Sequence, residues 1–503
     1  MAEHHRAFIY IMVLSLPALY LAQVALRSII DERELRLWRN AWIFSTASFF
    51  LSGSILIYAI LIGALSIYVH RVSPRPVFLY IVLLLTAPAV GVNLGIPGLF
   101  GSILELSPAR ILSIAFLLPA AVVLVRDRWQ PTLSITDRLV AAFVLLLFLL
   151  TLRYGSPTYT MRAAAIILLD IALPYFVFSR SCRDTQSIRT MLTAILFAAL
   201  PFAMAGLFEF VRGWRLYDGA IQQWGIVLIQ SYLFRDGMLR AASSAIEPIS
   251  FGFVCMVACG CQLAIRDHLA RSWMQVAMAA LLCFALIAGL SRGPWLGMAV
   301  LIAMFACVRP QGIRNLVKVA TIAALPCMLL LFSSYGDRIV RLLPFVGSVE
   351  TSNEDYRATL IDATIAVVGR NPLFGSIHFR TEPEILAMIQ GQGIVDIVNT
   401  YAAIALEFGL VALASFVATF ASVLPGLFVM SFKADSSQTS LVRGMLATLV
   451  AILLTIGTVS SVSVIPYIYW AFLGACMAVL RSEPQTSQDA KAPTSPRLVV
   501  LGR

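Results

Sequence analysis

Charge is scarce in this chain of 503 residues. Asp, Glu, Lys and Arg make up only 13% of it, roughly half the share of an ordinary soluble domain. Apolar residues reach 60%, and mean hydropathy is +0.87. A water-soluble fold of this size could not cover so much apolar surface. Nucleotide and metal signatures are missing too. The sequence contains no P-loop, no GxGxxG, no HExxH and no zinc-ligand spacing, so ATP-driven and metallohydrolase readings lack support. No cleavable signal peptide is evident. The first apolar run, Ala7 to Leu26, is too long for a signal h-region and has no small-x-small site after it, so it reads as a first span.

What is present is a series of long apolar runs, each of the length a membrane helix needs. Fourteen candidate spans cover 7–26, 41–69, 77–99, 111–125, 139–152, 163–179, 191–211, 249–265, 272–290, 294–308, 317–333, 400–431, 441–459 and 463–480. Allowing for two short ones, the expected fold is all-α, a polytopic transmembrane helical bundle of 12–14 spans. Five segments follow: N-terminal helices over 1–211, helices with arginine-rich outer loops over 212–333, an outer loop over 334–399, C-terminal helices over 400–480, and a polar tail over 481–503.

Lys and Arg in the short loops set the orientation. With the N-terminus inside, the inner segments hold 20 basic and 8 acidic residues, while the rest of the chain holds 17 and 18. The net charge of +11 is then a topology signal, and nucleic acid is not an expected partner. Both termini are expected on the cytoplasmic side of a bacterial inner membrane. One segment fits poorly: residues 27–40 carry Arg27, Arg33, Arg36 and Arg39 yet fall outside, where they could form an interfacial helix. None of the eight cysteines falls in an outer loop, so no periplasmic disulfide is expected. The Cys255, Cys259 and Cys261 cluster has no His or carboxylate beside it and reads as helix packing; no metal is expected.

The loop over 334–399 is too long for a connector. Within it, Glu354 to Gly369 is amphipathic, with Ser352 and Asn353 as candidate caps and Asn371-Pro372 as a stop. A second short helix is expected from Pro383 to Gln390, closing at Gly391 and Gly393.

Ionisable groups inside the spans are few. Asp170 is the clearest, and it is either functional or a protonated helix–helix hydrogen bonder. The outer ends of the spans, by contrast, are crowded with arginine: Arg235 and Arg240 before Glu247, Arg292 in the tight Ser291-Arg292-Gly293 hairpin, then Arg357, Arg370 and Arg380. Guanidinium groups bind phosphate through paired N–H donors. Several of them at one membrane surface suit a lipid-linked diphosphate, although anchoring to lipid headgroups is the plainer alternative for any single one. A sugar transfer would also need a base for the acceptor hydroxyl. Asp396, Glu247, Glu407, His378 and Asp362 are the outer candidates, and His378 is the only histidine on that side.

Four stretches resemble the O-antigen polymerase/ligase family of membrane glycosyltransferases: LRAASSAIEPISFG over 239–252, GLSRGPWLGM over 289–298, YRATLIDATIAVVGRNPLFG over 356–375, and GQGIVDIVNTYAAIALEFGLVAL over 391–413. The resemblance implies a periplasmic active site, a polyprenyl-diphosphate-linked glycan such as one on undecaprenyl diphosphate as donor, and no nucleotide or other cofactor. It casts Arg240, Arg292 and Arg357 as diphosphate or glycan binders, with Arg370, Asn399 and Tyr401 as further members of its motifs. Flippase and chain-length regulator proteins are the partners it implies beyond membrane lipids. Ligases of the family carry His immediately before the Asn of the last motif. Here that position is Val398, which favours the polymerase branch and leaves Asp396 or His378 as base, with Glu247 behind them. A ligase joining glycan to lipid A core or protein, and a glycolipid transporter or flippase, are the alternatives.

Overall fold

The computed structural model describes residues 3–96, 100–127, 132–226, 233–235, 237–308, 311–312, 314–318, 321, 351–389, 395–433 and 436–482. It is a helical bundle with two small antiparallel ladders. Among the described residues, nine helical stretches are long and apolar enough to cross a membrane, and three shorter apolar helices accompany them. The chain is a multi-pass membrane protein. Residues 322–333 of the span expected at 317–333 lie outside the described residues.

Helices α1 (Glu3–Leu26), α2 (Glu32–Leu51) and α3 (Ile55–Val72) open the bundle. The single span expected over 41–69 is thus two helices, parted at Ser52-Gly53-Ser54, where Gly53 takes a left-handed φ of +58°. The segment expected as an outer loop over 27–40 is mostly the start of α2, capped by the Asp31 carboxylate accepting from the Arg33 N–H at 3.0 Å. The span expected over 77–99 shrinks to the six-residue α4 (Phe78–Leu83), followed by a hairpin of β1 (Val92–Ile96) and β2 (Phe100–Leu106).

Next come α5 (Pro108–Arg126), α6 (Ile135–Thr151), α7 (Pro157–Ser181) and α8 (Thr185–Arg212). Helices α5 and α7 each contain a π turn, over Ser113–Leu117 and Leu168–Ala172. Each π turn ends just before a proline, Pro119 or Pro174. Proline lacks an N–H and crowds the carbonyl four residues back, and a widened turn relieves that clash. Then follow α9 (Pro248–Ile265), α10 (Ser272–Ala288), α11 (Arg292–Cys307), α12 (Thr351–Arg370), α13 (Thr400–Lys433), α14 (Ser436–Ile456) and α15 (Ile465–Arg481). Helix α12 begins at Thr351, so Ser352 and Asn353 lie inside it rather than capping it. The second loop helix runs only Pro383–Leu386; Gln390, Gly391 and Gly393 lie outside the described residues.

Contacts between helix ends sort the bundle into two faces. Trp214 Nε1 donates to Glu3 Oε1 at 3.0 Å, and the Arg6 guanidinium lies 4.7 Å over the Trp214 ring. The start of α1 therefore sits with the end of α8. At the other end of both helices, Gln186 Nε2 donates to the Ile29 carbonyl at 2.6 Å, and Ala270 N donates to the Ala25 carbonyl at 3.3 Å. Arg481 donates to the Ser179 carbonyl at 2.8 Å on that same far face. Glu3 and Arg481 lie at opposite ends of the bundle, which differs from the expectation of both termini on one face. The same contacts place Arg27, Arg33, Arg36 and Arg39 with the arginine-rich turns of the far face, which removes the one loop that broke the charge rule.

Asp170 is neither alone nor a lone hydrogen bonder. Arg110 holds it with Nη2 to Oδ2 at 2.9 Å and Nε to both carboxylate oxygens at 3.2 and 3.3 Å. Arg110 also donates to the Glu105 carbonyl at 2.7 Å. A buried charge is tolerable when paired in this bidentate way. Periodicity could not supply the partner, because Arg110 sits ahead of the apolar run it belongs to.

Candidate functional site

The site lies on the face shared by Glu3 and Arg212, and the short loop between α14 and α15 organises it. Residues 457–464, Gly-Thr-Val-Ser-Ser-Val-Ser-Val, touch nearly every segment that carries a candidate residue. Arg357 on α12 donates through Nη2 to the Thr458 carbonyl at 3.4 Å. A Cβ added at Gly293, in the first turn of α11, would meet Thr458 Oγ1 at 2.6 Å, so Arg292 opens its helix directly against this loop. Thr400 donates to the Val459 carbonyl at 2.9 Å. The Ser460 hydroxyl donates to Asp396 Oδ1 at 2.8 Å, and that of Ser463 to the Ala245 carbonyl at 2.9 Å.

Arg240 joins from the other side. Its Nη2 donates to Ser291 Oγ at 2.8 Å and its Nε to the Gly289 carbonyl at 3.4 Å. Arg235 adds a bond from Nη1 to the Leu290 carbonyl at 2.6 Å. The stretch Gly289 to Gly293 has the GxSxG spacing of a hydrolase nucleophile turn. That turn joins a strand to a helix, whereas here it joins helices α10 and α11, and Ser291 Oγ accepts from Arg240 while donating to the Gly289 carbonyl at 3.0 Å.

Backbone strain gathers in the same loops. Among the described residues, five non-glycine residues have positive φ: Ser243, Ile246, Leu290, Gln311 and Ser463. All but Gln311 lie in the loops just described. Each such residue costs on the order of 1–3 kcal/mol and persists only where the surroundings over-determine it. A β-branched residue such as Ile246 at φ +66° is rarer still.

Asp396 is exposed, and its backbone carbonyl accepts from Tyr356 Oη at 2.9 Å. Partial burial and the neighbouring Asp396 carboxylate push the Tyr356 phenol above its ordinary range. Glu247 stands at the N-terminus of α9, next to the turn that Ser463 holds. The structure therefore brings Arg357, Asp396 and the Arg292 turn to this loop, with Arg240 on the adjoining hairpin and Glu247 two residues after the Ala245 carbonyl that Ser463 holds.

Arg370 is not among them. It lies 13 residues beyond Arg357 on α12, about 20 Å along the axis at 1.5 Å per residue. There it pairs with Glu382 at 2.6 Å and with Glu384. The guanidinium holds the Glu384 carboxyl below its usual range, and the two carboxylates raise Arg370. His378 is exposed in the same far part of the loop, heading a short 3-10 turn. Asn399 caps α13: its side-chain oxygen accepts from the Tyr401 and Ala402 amides at 2.9 and 3.1 Å. Tyr401 donates to the Leu453 carbonyl at 2.8 Å and packs α13 on α14. Glu407 is held by Tyr154 Oη at 3.2 Å, and Asp362 lies on α12.

The Asn-Pro-Leu-Phe-Gly and Glu-Phe-Gly-Leu motifs meet in a backbone splice. At Gly409, φ +80° and ψ −179° break α13. Residues 372–376 enter the break. Ser376 N donates to the Leu406 carbonyl at 2.9 Å, while the Leu410 and Val411 amides donate to the Pro372 and Leu373 carbonyls at 2.8 and 3.3 Å. Groups orphaned by the broken helix are thereby satisfied. Arg153, at the end of α6, clamps the splice by donating to the Phe374, Gly375 and Glu407 carbonyls at 2.8, 3.2 and 3.1 Å.

The loop 457–464, Arg153 and Arg110 were not singled out from sequence. The serine-rich run at 458–463 between two apolar stretches was the available signal.

Residues 277–417 match the family model for O-antigen ligase, consistent with the O-antigen polymerase/ligase family. The match runs from α10 through the arginine hairpin and α12 to the middle of α13. No curated protein matches the chain. The family supports a glycosyltransferase-like enzyme of the O-antigen ligase or polymerase type, acting on lipid-linked glycans.

Proposed function

We propose that this chain polymerises polyprenyl-diphosphate-linked oligosaccharide repeat units into a surface polysaccharide, on the periplasmic face of a bacterial inner membrane. The observation that carries the reading is that loop 457–464 contacts Arg357, Asp396 and the start of α11 at Arg292-Gly293, while Arg240 is bonded to Ser291 in the hairpin that leads into α11. Segments from four distant parts of the sequence meet there at one end of a membrane bundle. Phosphate oxygens fit the arginines, and an acceptor hydroxyl fits the exposed carboxylate.

The donor is a growing chain on undecaprenyl diphosphate. The acceptor is the terminal sugar of another lipid-linked repeat. Asp396 takes the proton as the acceptor oxygen bonds to the anomeric carbon. The bond from that carbon to phosphate breaks, and undecaprenyl diphosphate leaves with the electron pair. The three guanidinium groups stabilise charge as it develops on the leaving oxygens. No nucleotide takes part. Flippase and chain-length regulator proteins are the partners that would deliver the donor and limit the product. Segment 334–399 is the periplasmic loop, and the arginine-rich far face is cytoplasmic.

Polymerisation rather than ligation is favoured by Val398, which stands where ligases of the family carry His. Ligation is favoured by the matched family model, which is that of O-antigen ligase. A deletion strain separates them: loss of a polymerase leaves single repeats on the acceptor, and loss of a ligase leaves unattached polymer. Within the polymerase reading, Arg292→Ala at normal protein level is expected to abolish long chains on a carbohydrate gel. Full-length polymer at wild-type yield would remove Arg292 from the site.

A further inference from the structure

Beneath the Arg240 loop lies a carboxylate that the proposed chemistry does not use. Glu209, in the last turn of α8, is fully buried. Its Oε1 accepts from the Leu216 amide at 2.9 Å, and its Oε2 from the Ala242 and Ser243 amides at 3.2 and 2.7 Å. Two of these three donors lie two and three residues after Arg240. Ser243 is one of the strained residues, at φ +50°.

The surroundings support the same turn. Ala241 N donates to the Ala288 carbonyl at 3.0 Å, tying the segment after Arg240 to the end of α10 just before the arginine hairpin. Arg215 pairs with Asp218 at 3.0 Å and donates to the Ile246 carbonyl at 3.1 Å. Ser244 donates to the Leu85 carbonyl at 2.6 Å. Among the described residues, however, only Glu209 reaches the amides at 242 and 243. Without an acceptor these two N–H groups would be orphaned in a dry interior. The turn at 242–246 would relax from its positive-φ conformation, and Arg240 would lose its register on Ser291.

We infer that Glu209 is a positioning residue for Arg240. Its buried carboxylate fixes the backbone at 242–243, so that the guanidinium is held at the Ser291 hairpin before a diphosphate arrives. A bound diphosphate then meets a cation whose ordering cost is already met by the fold. The inference rests on the reading of Arg240 as a diphosphate ligand.

The test is binding of undecaprenyl diphosphate to the full chain in nanodiscs, arranged as a double-mutant cycle. Glu209→Gln turns an acceptor oxygen into an N–H donor that faces backbone donors. Glu209→Asp keeps the buried charge but shortens its reach, so it preserves the fold while loosening the turn. Both are expected to weaken binding, Glu209→Gln by about tenfold, as for the loss of charge-assisted hydrogen bonds. In an Arg240→Ala background, either Glu209 change is expected to weaken binding no further, because the two residues act as one unit. Additive losses, or wild-type affinity in both Glu209 variants while Arg240→Ala binds poorly, would overturn the positioning role and leave the diphosphate reading standing. Wild-type affinity in Arg240→Ala itself would instead sink Arg240 as a diphosphate ligand.

Discussion

Asn399 and Asp396 are three residues apart, and the fold gives them opposite tasks. Asn399 turns its oxygen back onto the Tyr401 and Ala402 amides, where it starts α13. Asp396 keeps its carboxylate at the surface, oriented by the Ser460 hydroxyl. A carboxylate held by a hydroxyl donor and open on its other side has room for an acceptor sugar. Asp396→Asn preserves the shape and the Ser460 contact and removes the basicity. A general base contributes about 10²–10⁴ in rate, so polymer formation by purified Asp396→Asn should fall by about two orders of magnitude or more. Donor binding should stay close to wild type, since the arginines are intact. Ser460→Ala should cost far less, because it removes orientation and leaves the base. If Asp396→Asn polymerises at the wild-type rate, the proton goes elsewhere, and Glu247 becomes the next residue to change.

At the scale of elements, sequence reasoning located most spans but missed how their ends interlock. Apolar length alone reveals helices such as α8, α9 and α13. It cannot show that the span expected over 77–99 holds a six-residue helix, Phe78–Leu83, and a strand, Val92–Ile96, since buried strands and buried helices are equally apolar. The arginines at loop ends were legible as residues. Their convergence was not, because the 289–291 hairpin and loop 457–464 hold them through backbone carbonyls and a serine hydroxyl that any short loop could offer. The Asn-Pro-Leu-Phe-Gly motif was legible as a pattern and a helix stop; its work as a splice into α13 was not, because it consists of backbone bonds to a segment distant in sequence. Gly375 makes that splice testable. It sits at φ +66°, and a Cβ there would lie 2.6 Å from Gly409 N. Both backbone strain and a clash with main chain follow from Gly375→Ala, at a cost on the order of 2 kcal/mol or more. The expected result is a lower melting temperature and faster proteolytic cleavage in 371–389, with the rest of the bundle unaltered. Unchanged melting and cleavage would mean that the two backbones can separate without cost.

The whole molecule is ordered by which helix ends lie together, and that ordering carries a topology different from the one periodicity gives. If Glu3 shares a face with Trp214, and Ile29 with Gln186, then α1 crosses towards the arginine-rich face rather than away from it. Arg27, Arg33, Arg36 and Arg39 then join the basic side, and only Arg6 leaves it. The rule that basic loops stay in the cytoplasm is satisfied better by this arrangement than by a cytoplasmic N-terminus. It also puts Arg6 and Glu3 beside the loops of the site, where a headgroup or glycan would approach. A cysteine at Arg36 distinguishes the two topologies. In Arg36→Cys, a membrane-impermeant thiol reagent should label position 36 only after the spheroplast membrane is permeabilised. A phosphatase that is active only in the periplasm should be active when fused ahead of Glu3 and inactive when fused after Ser482. Labelling of position 36 in intact spheroplasts would return α1 to the opposite orientation, and the Trp214–Glu3 contact could not then exist in the membrane.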